Sequence, residues 1–149
     1  MEEKKKTVLV SGGFSLERER LEDWEDKGMP ESMLRRDYYE YTLVDSARGR
    51  RLLRISCKIP KSRENLNYYP IGVVTSLKKG NFKGFFPTMI GMIRRDLRKR
   101  NPNADIVSVT PHERIENYYS RELSAVRKRG RVHFPEQLPK RAPNPRKRI

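Results

Sequence analysis

The sequence predicts an α+β fold: an antiparallel sheet of about four to five strands covered by helices, with a disordered basic carboxyl-terminal tail. Three observations predict it. The apolar residues switch at Tyr38 from helical spacing to strict alternation. An amphipathic helical pattern follows Pro87. After Gly130 the chain combines Pro135, Pro139, Pro143 and Pro145 with many Lys and Arg and few apolar side chains.

Taken in order, Thr7-Val8-Leu9-Val10 is a short apolar run bounded by Ser11-Gly12-Gly13, and residues 1–13 read as a strand or an arm that pairs with something. Ser15 suits the cap of a helix with Glu17 and Glu19 in its first turns, Leu21 and Trp24 facing inward beside Phe14, and Gly28 and Pro30 stopping it. Residues 31–36 offer a second short helical piece through Met33 and Leu34.

From Tyr38 the reading is a sheet. Tyr39, Tyr41 and Leu43 alternate with Glu40 and Thr42, and Leu53, Ile55, Cys57 and Ile59 alternate with Arg54, Ser56 and Lys58, so the two runs form a hairpin across Ala47-Arg48-Gly49-Arg50. Residues 61–67 are a polar loop. Ile71, Val73 and Leu77 mark a third strand, and the aromatic run from Phe82 to Phe86 a fourth, after turn chemistry at Lys78-Lys79-Gly80-Asn81.

The cover follows. Past Pro87, Met89, Ile90, Ile93 and Leu97 recur on one helical face, with Arg94, Arg95, Arg98, Lys99 and Arg100 near the end, where cations complement the helix dipole. Ala104 to Val109 reads as another strand. Thr110-Pro111-His112-Glu113 has the form of a capping box, and the helix it opens carries Ile115, Tyr118, Tyr119, Leu123 and Val126 until Arg127-Lys128-Arg129-Gly130. A single folded domain is therefore expected over residues 14–129, followed by a Pro-rich basic tail over 130–149.

Composition narrows the function. Hydrophobic residues make up 35% of the chain, below the about 45–50% of ordinary globular proteins, so the core is modest. No apolar run is long enough for a membrane-crossing helix, and the start Met1-Glu2-Glu3-Lys4-Lys5-Lys6 has no signal-peptide stretch behind it. An intracellular protein, cytoplasmic or nucleoid-associated and not secreted, is expected. Cys57 is the one cysteine, and with only His112 and His133 beside it neither a disulfide framework nor a zinc set can be assembled. No metal, cofactor or membrane partner is expected.

Charge is the strongest signal. The chain holds 34 Lys and Arg against 19 Asp and Glu, a net charge of +15. Residues 1–40 are slightly acidic, with 8 basic and 11 acidic groups; residues 41–126 hold 17 against 7, and residues 127–149 hold 9 against Glu136 alone. A polyanion, most often nucleic acid, is the partner such a balance predicts.

The candidate nucleic-acid-binding residues sit where these cations crowd. They are Arg48, Arg50 and Arg51 at the hairpin turn; Arg54 and Lys58 on one side of the next strand; Lys61 and Arg63 in the loop; Lys78, Lys79 and Lys83 at the following turn; and Arg127, Lys128, Arg129 and Arg131 towards the tail. Tyr68 and Tyr69, next to a polar loop, are the rings best placed to stack on unpaired bases. Solvated strand edges protected by lysine are the plain alternative.

Catalysis has weak support. Ser11-Gly12-Gly13 matches no phosphate-loop pattern, His112 and His133 lie in a capping turn and near the tail, and the acids from Glu17 to Asp26 lie on one expected helix rather than converging on a metal.

The layout of four antiparallel strands followed by a helix over residues 38–100 resembles, in outline, whirly-type single-stranded nucleic-acid-binding domains. The resemblance implies a helix-covered sheet that meets single strands, and it transfers no residue roles. The function expected from the sequence is noncatalytic binding of single-stranded nucleic acid, RNA favoured over DNA, by phosphate neutralisation and limited stacking. The alternatives are a structural component of a ribonucleoprotein or capsid assembly and a small nuclease; a homo-oligomer or larger nucleoprotein assembly fits the first of these.

Overall fold

The computed structural model of the chain describes residues 3–21, 38–60, 66–77, 81–109 and 112–138. The strands are β1 (Glu3–Ser11), β2 (Phe14–Leu21), β3 (Tyr38–Asp45), β4 (Arg50–Lys58), β5 (Tyr68–Ser76), β6 (Asp105–Ser108), β7 (Val126–Lys128) and β8 (Arg131–His133); the helices are α1 (Asn81–Arg98) and α2 (Glu113–Glu122). Among the described residues these eight strands make one sheet in the order β1-β2-β3-β4-β5-β6-β8-β7. The fold is sheet-dominated and the sheet is wider than the four to five strands expected. It is also mixed: β5 and β6 run parallel, while the other neighbours are antiparallel. The parallel pair follows from connectivity, since α1 carries the chain back along the sheet before β6 begins.

The hairpin of β3 and β4 forms as its alternation predicts, with Tyr39, Tyr41, Leu43, Leu53, Ile55 and Cys57 buried on one face. Three other expectations are overturned. Ser15 to Leu21 is strand, not helix: Gly12 and Gly13, with φ of 55° and 85°, make a two-residue turn that folds β2 back on β1. Both sides of β2 then find partners, β1 and β3, which a helix would forgo. Phe82 to Phe86 is the start of α1 rather than a fourth strand. Phe86, Met89, Ile90, Ile93 and Leu97 then form one buried stripe, and Pro87 is carried inside the helix. Finally, the helix cap is His112 itself, whose Nδ1 accepts from the Arg114 N–H at 3.2 Å; Thr110 and Pro111 lie outside the described residues.

The start of the expected tail belongs to the fold. Arg129 and Gly130, with φ of 53° and 77°, form the tight turn between β7 and β8, and β8 pairs with β6. Val132 and Phe134 are buried in the core. Arg94, itself 3% exposed, fixes the segment beyond: it donates to Asp105 at 3.0 Å and to the carbonyls of Phe134, Pro135 and Glu136 at 3.2, 2.8 and 3.0 Å. Arg98 adds a two-bond pair to the Glu136 carboxylate, 2.7 Å each, which holds that carboxyl below its usual pKa range. Much of the cationic run at the end of α1 is therefore structural. Residues 139–149, and the helical segments expected within 22–37, lie outside the described residues.

One face of the sheet receives α1, which packs on β4, β6 and the β1–β2 hairpin. The other face has no helix on it among the described residues. Among the described residues no helix is long and apolar enough to cross a membrane, and no cluster of metal-ligating side chains occurs.

Candidate nucleic-acid interface

Strand alternation decides which candidate side chains reach the uncovered face. In β4, Leu53, Ile55 and Cys57 point to α1, so Arg54, Ser56 and Lys58 point the other way. Tyr38 and Glu40 lie beside them on β3 in register with Lys58 and Ser56. Tyr38, Glu40, Arg54, Ser56, Lys58, Gly72 and Thr75 together line a shallow groove on this face.

Further across, Tyr69 and Val132 pack towards the core, which turns Tyr68, Arg131 and His133 outward. The Tyr68 ring meets His133 edge-on at 5.3 Å, and the Arg131 guanidinium lies 5.5 Å from its centroid. Val107 lies fully buried in the same row, in register with Pro70 and His133, and Val126 ends the row 59% exposed. Lys128, two residues along β7, shares its face.

The candidate residues therefore divide. Arg54, Lys58, Tyr68, Lys128 and Arg131 meet on the uncovered face. Arg48, Arg50 and Arg51 crowd one end of the sheet, where the Leu77 N–H donates to the Leu52 carbonyl and the Ser46 N–H to the Gly13 carbonyl, so the β1–β2 and β3–β4 turns lie together with the end of β5. Arg129 sits at the β7–β8 turn. Lys61, Arg63, Lys78 and Lys79 lie outside the described residues.

Three candidates are drawn elsewhere. Tyr69 is half-buried against the core, and that burial pushes its phenol pKa up. Lys83 lies on the helical side, 3.7 Å from Glu122 and 5.4 Å from the Tyr118 ring centroid. Arg127 grips the Glu116 carboxylate of α2 with two hydrogen bonds, which hold that carboxyl below its ordinary pKa range.

Charge on the face is uneven. Arg51 and Arg54 stand 3.6 and 3.4 Å from Glu17 and Glu40, so acids from the β2–β3 side moderate them. Among the described residues, no carboxylate comes within ion-pair distance of Arg48, Arg50, Lys58, Lys128 or Arg129. The cationic half of the face is thus the half from β4 to β7. Two elements of it escape the sequence reading: His133, read only as a weak catalytic candidate, and Val126, assigned to a helix. Arg129-Gly130 between two short alternating runs is the signal that could have found both.

A second concavity adjoins the groove. β5 pairs with β6 only from Tyr68 to Ile71, after which the two chains diverge around a crevice of about 680 Å³. Lys58 and Gly72 line both the groove and the crevice. Comparison of the chain with protein-family models, curated proteins and solved structures finds no match in any of the three.

Proposed function

We propose that the protein is a noncatalytic single-stranded nucleic-acid-binding protein that receives its strand on the uncovered face of the sheet. One juxtaposition supports this reading: Lys58, Arg131 and Lys128 share the β4-to-β7 half of that face with Tyr68 and His133, Tyr38 stands next to Lys58 on β3, and among the described residues Glu40 is the one acid lining the groove. Tyr38, Tyr68 and His133 are each part-exposed, and accessible rings beside cations are what unpaired bases and their phosphates require. A duplex keeps its bases stacked inside and would leave the tyrosines without a role. Arg48 and Arg50 at the end of the sheet extend the phosphate track, and Arg129 extends it at the β7–β8 turn.

Binding is driven by phosphate neutralisation, with stacking second and little base-edge readout. The test is a titration of labelled single-stranded RNA and DNA, read by fluorescence anisotropy across a salt series. With about four phosphates neutralised, log affinity falls against log salt with a slope of about −3. A flat salt dependence, or no binding of either strand at low salt, overturns the proposal.

A further inference from the structure

We infer that the crevice between β5, α1 and α2 is a nucleotide site that takes one unstacked base, with the attached phosphate held at its mouth by Lys58. This assignment rests on the single-strand reading above and adds to it a place where one base leaves the strand.

The crevice exists because β6 stops at Ser108 while β5 runs on to Ser76. Over that stretch β5 has β4 on one side, and among the described residues no strand on the other. Gly72, Val74 and Ser76 of this stretch line the crevice, and the polar edge of a base seated there brings donors and acceptors alongside the strand.

The walls suit the faces of a base. Val74, Ile115, Phe82 and Tyr119 line the crevice, so a planar ring meets apolar and aromatic surface. The volume of about 680 Å³ lies within the about 300–1,000 Å³ of small-ligand sites, large enough for base and sugar.

The charge is matched as well. Among the described residues no Asp or Glu lines the crevice, whereas Lys58 and His112, both exposed, do. Because His112 Nδ1 accepts from the Arg114 N–H, the proton of the neutral ring is on Nε2, a second donor for an anionic group. Lys58 and Gly72 belong equally to the groove on the uncovered face, so a strand lying there passes the mouth directly.

The test uses the full chain with labelled methyl groups. Adenosine and uridine monophosphate, added to millimolar concentration, should shift the Ile71, Val74 and Ile115 methyl resonances, and a short single-stranded oligonucleotide should shift the same set. Ile115→Trp fills the crevice and leaves the open face alone; it should abolish the mononucleotide shifts and weaken oligonucleotide binding about five- to a hundredfold, as expected for one lost stacked base. An oligonucleotide that binds without moving these methyls, and binds Ile115→Trp equally well, overturns the crevice assignment and leaves the open-face reading standing. Methyl shifts with mononucleotides but no oligonucleotide binding sustain the crevice as a site for free nucleotide and overturn the open-face reading. If Ile115→Trp fails to fold, the wild-type shifts decide between these outcomes on their own.

Discussion

Arg18 of β2 and Asp96 of α1, 78 positions apart in sequence, meet at 2.9 Å with both side chains 3% exposed. Tyr41 donates to the same carboxylate oxygen at 2.7 Å, and burial together with Asp96 pushes its phenol pKa well above the ordinary value. The three groups join the sheet to its covering helix, and the Arg18 guanidinium also lies 5.0 Å from the centroid of the Tyr39 ring. A buried pair of this kind adds little net stability over a well-packed apolar equivalent, but leaving one member alone is costly. Asp96→Asn should therefore lose about 3–5 kcal/mol of unfolding free energy in urea titrations. The triple variant Arg18→Met, Tyr41→Phe, Asp96→Leu should recover most of it. A triple variant no more stable than Asp96→Asn would show that the groups do not act as a unit.

Cys57 gives a pH dependence with a defined sign. Its side chain is fully buried, its thiol donates to the Tyr69 carbonyl at 3.8 Å, and burial pushes its pKa from 9.0 to about 12. Above pH 9 the unfolded chain releases a proton that the folded chain keeps, so unfolding gains. The thiol's stabilising contribution is complete below about pH 9 and is lost as pH rises towards 12, by at most about 1.4 kcal/mol per pH unit. The difference in stability between wild type and Cys57→Ala, followed from pH 8 to 10.5, should shrink with rising pH. A constant difference would contradict this. The folded protein should also resist thiol reagents at pH 8 until urea exposes the side chain.

These two sites mark what local sequence can and cannot say. The β3–β4 hairpin is legible because Tyr39, Tyr41, Leu43, Leu53, Ile55 and Cys57 alternate with polar residues, and hydropathy alone carries that period. In β2 the alternation is between Glu17, Glu19 and Arg18, Arg20, which hydropathy does not distinguish. Arg18 is an inward residue only because Asp96 waits on a distant helix. The aromatic run Phe82 to Phe86 suits a strand by propensity, and becomes helix because Phe86 continues the stripe of Met89, Ile90 and Ile93 through Pro87. Composition likewise marks residues 130–138 as tail, since the buried partner that orders them, Arg94, lies some forty residues away. At the site, the cations were legible from charge. Which of them share a face, and that Tyr68 and Tyr69 part company, depends on a strand register that charge does not encode.

Tyr68 and Tyr69 should accordingly separate binding from stability. Tyr68 stands on the uncovered face beside Arg131 and His133, whereas Tyr69 packs against the core. Tyr68→Ala should weaken single-strand binding about five- to a hundredfold, the worth of one stacking platform, and alter the melting temperature little. Tyr69→Ala should lower stability by about 3 kcal/mol while the folded fraction binds normally. Anisotropy titrations at a temperature where both variants are folded, paired with urea melts, would show the two effects. Equal losses of affinity would mean that the stacking platform lies elsewhere.

Gly130 is the last place where the composition changes, yet the fold runs past it. Ending the chain there removes β8, exposes the edge of β6, and takes Val132 and Phe134, 1% and 4% exposed, out of the core. It also leaves the Arg94 guanidinium buried beside Asp105 without the three carbonyls that complete its hydrogen bonds. A chain of residues 1–130 should therefore fail to give a cooperative thermal transition. In the full chain, Phe134→Ala should cost about 3–5 kcal/mol, the loss expected of a buried aromatic. Arg94→Lys should recover little of what Arg94→Met loses, because one ammonium cannot fan its donors across Asp105 and three carbonyls on separate segments. Glu136→Gln breaks only an exposed pair with Arg98 and should change stability by about 1 kcal/mol or less. A cooperative melt from the 1–130 chain near the wild-type midpoint would place β8 outside the folding unit and return residues 131–138 to the tail.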